Sequence, residues 1–210
     1  MVKAVSVMLL FAAVPAHAAY SGLTLIPTAD TLAAGQVCVD YQLDGPFPMG
    51  SGADVALLNT QLGVGGQAEA GIDFDFTEGA ETGVLFNGKL LLRPEETGLG
   101  LAAGLFNAGD NLAPSSYVVA TTPVGARLRL HAGMLFDPST TDGFAGLDYA
   151  VNDQTQVWAE HIGGHENASA LSLAHQLTRH WAISFAWQRP NDRTADDSFS
   201  LHIGCVRPGG

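Results

Sequence analysis

The sequence predicts an antiparallel, up-and-down transmembrane β-barrel of about twelve strands, standing behind a cleaved transport signal. Three observations predict it. From Gln36 onward apolar side chains alternate with polar or small ones, in segments close to the roughly 9–11 residues of a membrane-crossing strand. Gly, Pro, Asn and Asp bound those segments and mark turns. Short and long connections then follow each other along the chain, which suits a barrel with tight periplasmic turns and longer outer loops.

The amino terminus reads as a signal peptide over residues 1–18. Lys3 gives the positive start, Val5 to Val14 the apolar stretch, and Ala16-His17-Ala18 a small-residue cleavage site before Ala19. Pro15 and His17 interrupt the apolar run well short of the ~20 residues a spanning helix needs. Residues 19–35 follow as an N-terminal periplasmic segment, and 36–207 as the barrel.

Strands are expected near 36–43, 55–64, 68–76, 83–93, 98–107, 115–123, 126–136, 143–151, 154–162, 168–177, 181–189 and 197–206. In the first, Val37, Val39, Tyr41 and Leu43 share one face, and Gln36, Cys38, Asp40 and Gln42 the other. The third sets Ile72, Phe74 and Phe76 against Glu69, Asp73 and Asp75. The fifth and tenth set leucines against Gly and Ala. The seventh sets Leu128, Leu130, Met134 and Phe136 against Arg127, Arg129 and His131. The eleventh and twelfth carry Trp181, Ile183, Phe185 and Trp187, then Phe199, Leu201 and Ile203, on their apolar faces. A soluble β-sandwich shows the same alternation. Loop length separates the two: Gly65-Gly66-Gln67, Val124-Gly125 and Asn152-Asp153 are tight, whereas 44–53, 108–114 and 190–196 are long.

Composition excludes other classes. With 9 Lys and Arg against 21 Asp and Glu, the formal charge of −12 repels nucleic-acid phosphate. Two Cys cannot build a disulfide-rich scaffold or a four-Cys zinc site. His161 and His165 are expected in and beside a loop rather than on one helical turn, so no metal site is read, and no cofactor is expected.

The segment Ser21-Gly22-Leu23-Thr24-Leu25-Ile26-Pro27-Thr28-Ala29-Asp30, followed by Gly35 and an alternating strand, resembles the opening of YjbH-like outer-membrane proteins. The resemblance implies an outer-membrane β-barrel, in some members linked to exopolysaccharide production or export. It carries no catalytic residue across. From its residues alone the segment reads as a capped turn, with Pro27 fixing φ and Thr28 or Asp30 bonding nearby backbone, placed at or inside the periplasmic mouth.

The polar face carries the candidate site. Asp40, Glu69, Asp73, Asp75, Lys89, Arg93, Arg127, Arg129, His131 and Asp148 are expected to line the lumen. Asp73 and Asp75 are expected to pair with Lys89 or Arg93 across a hairpin. That gives either a salt-bridged, largely blocked lumen or a narrow pore whose Lys89, Arg127 and Arg129 attract anions. Cys38 and Cys205 lie on the strands that close the barrel; a disulfide there would staple the seam, at the cost of a bulge near Gly204.

The function expected is that of a non-enzymatic outer-membrane barrel with a structural, pore-forming or exopolysaccharide-export-associated role. Its partners would be membrane lipid and either small solutes or polysaccharide-export components. A secreted β-sandwich acting as a binding module is the alternative. A lipid-modifying barrel hydrolase, using Ser169 or Ser184 near His175, is the third.

Overall fold

An alternating segment can bury its polar row from lipid by curling the sheet until its edges meet. The computed structural model describes residues 21–49, 53–77, 83–109 and 113–209 and shows that closure; the signal peptide expected over residues 1–18 lies outside the described residues. The strands are β1 (Val37–Pro46), β2 (Val55–Val64), β3 (Ala68–Asp75), β4 (Val84–Arg93), β5 (Gly100–Ala108) and β6 (Ser115–Val124). They continue as β7 (Leu128–Phe136), β8 (Thr141–Asn152), β9 (Thr155–Ile162), β10 (Ala168–Gln176), β11 (Trp181–Pro190) and β12 (Ser198–Arg207). Each pairs antiparallel with the next, and β1 pairs with β12 to close the barrel.

The closing ladder runs from Val37 opposite Arg207 to Pro46 opposite Ser198. None of the twelve strands is left with an open edge, so the sheet itself supplies the partners of the spanning backbone. Gly65 and Gly66, at φ 64° and 75°, supply the left-handed backbone of the three-residue turn, 65–67, between β2 and β3. Register shifts interrupt the ladder between β4 and β5 and between β8 and β9, at Ala150/Asn152 in the latter.

The two faces divide as the alternation requires. Val39, Tyr41, Ile72, Phe74, Phe86, Leu90, Leu130, Phe136, Leu171 and Trp181 are exposed around the outside, forming the apolar surface a bilayer solvates. Asp40, Asn59, Gln61, Glu69, Asp73, Lys89, Thr121, His131, Asp148, Glu160, Ser172, Ser184, Ser200 and His202 are buried inside. An apolar cluster shares the interior on the β5–β9 side, where Tyr117, Val119, Leu135, Phe144, Trp158 and Ile162 gather.

The seam corrects the expected disulfide. Cys205 stands opposite Val39 and Cys38 opposite Val206, so neighbouring positions of the pleat send the two thiols to opposite faces. The β1–β12 ladder is regular here, with no bulge at Gly204, and both cysteines are free.

Candidate functional site

The apolar cluster is completed by residues outside the sheet: Leu23, Ile26 and Ala29. Residues 21–34 enter the lumen from the short-turn end and lie inside the mouth. Leu23 N donates to Ile26 O at 2.9 Å and Gly22 bridges Pro27, so the segment folds back on itself as a small hairpin. Pro27 suits the bend because its φ is already set and it has no N–H to satisfy. Ile26 and Thr28 are 0% exposed, which places the hairpin in the interior rather than over the opening.

Glycines on the inner wall make room. A Cβ at Gly63 would fall 2.0 Å from the Ala33 carbonyl oxygen, and one at Gly146 2.6 Å from Ile26 Cδ1. At Gly63 the obstacle is hairpin backbone, so no side chain fits while the hairpin is seated, and at Gly146 the end of the Ile26 side chain would have to move.

Three polar clusters hold the hairpin. At its tip, the Glu160 carboxylate on β9 accepts N–H bonds from Thr24 at 3.0 Å, Leu25 at 2.7 Å and Ile26 at 3.0 Å. Three successive amides around one carboxylate form an anion nest, here wrapped round an acid of the wall. Thr24 Oγ1 also lies 2.8 Å from Ser172 Oγ on β10.

At the base, Glu69 on β3 and Lys89 on β4 stand opposite each other and pair at 3.4 Å. Ser21 Oγ donates to Glu69 at 2.7 Å, and Leu32 N donates to it at 3.0 Å. Lys89 Nζ donates to the backbone carbonyls of Ser21 and Asp30. The pair thus binds donors and acceptors of the hairpin together.

Between them, Arg129 on β7 joins Asp30 at 3.0 Å, Glu95 at 3.2 Å and Asp148 at 2.8 Å. Asp148 meets His131 Nε2 at 3.0 Å, His131 Nδ1 meets Thr121 Oγ1 at 2.9 Å, and that oxygen accepts the Ala29 N–H at 2.9 Å. One network therefore grips two consecutive hairpin residues.

Of the charged residues expected in the lumen, Asp40, Glu69, Asp73, Lys89, His131 and Asp148 are buried there, and Arg129 and Asp75 are half-buried. Arg93 and Arg127 are exposed at the short-turn end, so they do not line the interior. The expected pairing of Asp73 and Asp75 with Lys89 or Arg93 is corrected as well. The β3–β4 register puts Glu69 opposite Lys89, two pleats nearer the short-turn end, and Asp73 instead accepts from Asn87. Lys89 and Arg129 are already paired with acids, so neither stands ready to attract an anion.

A separate polar cluster lies across the seam. His202 Nδ1 lies 2.8 Å from Asp40 Oδ2 and its Nε2 lies 2.9 Å from Ser200 Oγ, an order reminiscent of a hydrolase triad. Ser200 Oγ, however, donates to Asp44, and the residue is 0% exposed. A carboxylate stands beside the oxygen that would attack, where a developing oxyanion would be repelled. The residues named for a hydrolase do not converge either: Ser169 faces His161, His175 faces Thr155, and Ser184 Oγ is unpartnered. Among the described residues no group of three His, Cys, Asp or Glu could hold a metal.

Solved structures share this architecture. The KdgM porin superposes with a TM-score of 0.59 at 8% identity, over 80% of this chain and 98% of its own. The fold is that of an outer-membrane porin barrel. The COG4313 outer membrane channel from Pseudomonas putida F1 matches with a TM-score of 0.52 at 13% identity, over 88% of this chain and 100% of its own. The NanC porin matches with 0.51 at 10%, over 81% and 98%. KdgM has also been solved in complex with disordered oligogalacturonate. No protein-family model and no curated protein matches the sequence.

The porin-type barrel and its charged interior are readable from the residues alone; the hairpin is not. Glu160, His202, Ser200 and Asp44 also escape as partners, because these contacts join residues far apart in sequence.

Proposed function

We propose that this chain is a bacterial outer-membrane channel for small solutes, held closed by its own N-terminal hairpin. One observation carries the reading: the twelve-stranded sheet closes without the hairpin, which fills the lumen yet contributes no strand to it. Withdrawing residues 21–34 breaks side-chain contacts and buried apolar packing but no ladder of the sheet. An element of that kind can leave while the wall stays folded.

The wall sets the sign of the preferred solute. Asp40, Asp44, Glu69, Asp73, Asp148 and Glu160 face the interior against Lys89 and Arg129, so cations are favoured over anions. Oligogalacturonate, the polyanion in the KdgM complex, is therefore not the kind of solute this lumen suits.

The test is planar-bilayer recording of the refolded full chain and of a variant lacking residues 21–34, each first shown to be folded by heat-modifiable gel mobility. The full chain should stay mostly silent, and the variant should conduct steadily with a cation-selective reversal potential in a salt gradient. A folded variant that is equally silent would remove the reading.

A second reading is a role in polysaccharide export. It is favoured by one fact: the segment resembling YjbH-like proteins is the one seated in the lumen. Loss of secreted polysaccharide from cells carrying the deletion, with the barrel still assembled, would support it.

A further inference from the structure

Removing the hairpin has unequal effects on the charges it touches. Lys89 keeps Glu69, and Arg129 keeps Asp148 and Glu95. Glu160 differs, since the amides of Thr24, Leu25 and Ile26 all depart together. At 4% exposure, it would be left as a lumen carboxylate stripped of three donors.

One side of that vacated place is apolar, and next to it Ser172 loses its Thr24 contact. Leu23 and Ile26 leave a wall of Val119, Leu135, Phe144, Trp158 and Ile162 on the same side of the lumen. Trp158 is two residues from Glu160 on one strand, so both face inward next to each other. An incoming group must therefore offer several N–H donors at one point and an apolar body beside it.

Resting on the channel reading above, we propose that Glu160 and this wall form a binding site for primary ammonium solutes with an apolar body. The hairpin tip occupies that site as a mimic. A primary ammonium carries three N–H donors on one atom, the same number that the tip supplies through three amides. It adds the positive charge that the amides lack, which strengthens each bond to the carboxylate. The ring of Trp158 beside the acid favours a cation further. A carboxylate of the same shape meets Glu160 as a like charge and finds Lys89 and Arg129 already paired.

The consequence is that such a solute competes with the hairpin for one site and so shifts the closed barrel toward the open one. Three probes with the same phenylethyl body separate the contributions: phenethylammonium, its N,N,N-trimethyl analogue, and 3-phenylpropionate. In the full-length protein in a bilayer, phenethylammonium should raise the potassium conductance. The trimethyl analogue, charged but without N–H donors, should need roughly tenfold more, and 3-phenylpropionate should do nothing. In liposomes holding the folded variant lacking residues 21–34, phenethylammonium should enter roughly tenfold faster than 3-phenylpropionate, and Glu160→Gln should erase its advantage over the trimethyl analogue.

Equal action of phenethylammonium and its trimethyl analogue overturns the proposal, as does an advantage that survives Glu160→Gln. If the hairpin-free barrel conducts potassium yet shows no amine preference, the ammonium site fails and the channel stands. If the folded hairpin-free barrel conducts nothing, both fail. Should the deletion not refold, the full-length comparison decides alone.

Discussion

Arg129 of the wall and Asp30 of the hairpin are joined at 3.0 Å, with both side chains under one-fifth exposed. Arg129 is also held by Asp148 and Glu95, so it is fixed in place whether or not the hairpin is seated. Asp30 is thus the removable half of the latch. Asp30→Ala should cost the closed state about 1–2 kcal/mol, between the value of an exposed pair and a fully buried one. In single-channel records this reads as an open probability about ten times that of the parent. An unchanged open probability in Asp30→Ala would mean that the ion pair does not hold the hairpin.

Lys89 and Glu69 form the most deeply buried pair of the lumen, both side chains being 1% exposed. Breaking it from one side leaves a charge with no counterion inside the barrel. Lys89→Met should therefore destabilise by about 3–5 kcal/mol and lower the temperature at which the folded band disappears on a gel. Adding Glu69→Gln should restore a large part of that loss, because the remaining group is neutral. Equal and additive effects of the two substitutions would show that the pair is not coupled.

How much of this was legible depends on sequence distance. Period two in β1, β3 and β7, and the Gly65-Gly66 turn, are local signals, and they located the strands and the two faces. The hairpin has no such signal. Its residues read locally only as a capped turn at or inside the periplasmic mouth, and the acceptor of the Thr24, Leu25 and Ile26 amides, Glu160, lies more than 130 positions away. Pairing of Glu69 with Lys89, rather than Asp73 or Asp75, turned on a register offset that alternation cannot supply, since a shift of two residues keeps every side chain on its face. One clue was present. Glycines at 63, 100 and 146 leave inner wall without side chains, and space beside buried polar groups has to be filled.

Gly146 offers a test of that clue. A Cβ there would lie 2.6 Å from Ile26 Cδ1, so Gly146→Val should push the tip off Glu160 and open the lumen. The backbone of β8 gives no reason for Gly at this position, as its φ is not in the left-handed region. Shortening the opposing side chain with Ile26→Ala should then reseat the hairpin and return conductance toward the parent's. If Gly146→Val leaves the bilayer record silent, the tip is not seated where the contact places it.

Barrel closure itself can be checked at the seam. Val39 and Cys205 are direct partners on the outer face, whereas Cys38 points inward and is 3% exposed. Val39→Cys should consequently place two thiols side by side on neighbouring strands, with Cβ atoms about 4.5–5.5 Å apart. A short bifunctional methanethiosulfonate reagent should link the introduced thiol to Cys205 in the folded variant, and peptide mass spectrometry would read the linked pair. In the parent chain the same reagent should leave Cys38 and Cys205 unlinked, because the sheet lies between them. A link between Cys38 and Cys205 in the folded parent would mean that β1 and β12 meet one residue out of the present register. That shift would turn the polar row of β1 toward lipid, which a barrel carrying Asp40 and Asp44 on that row could not sustain.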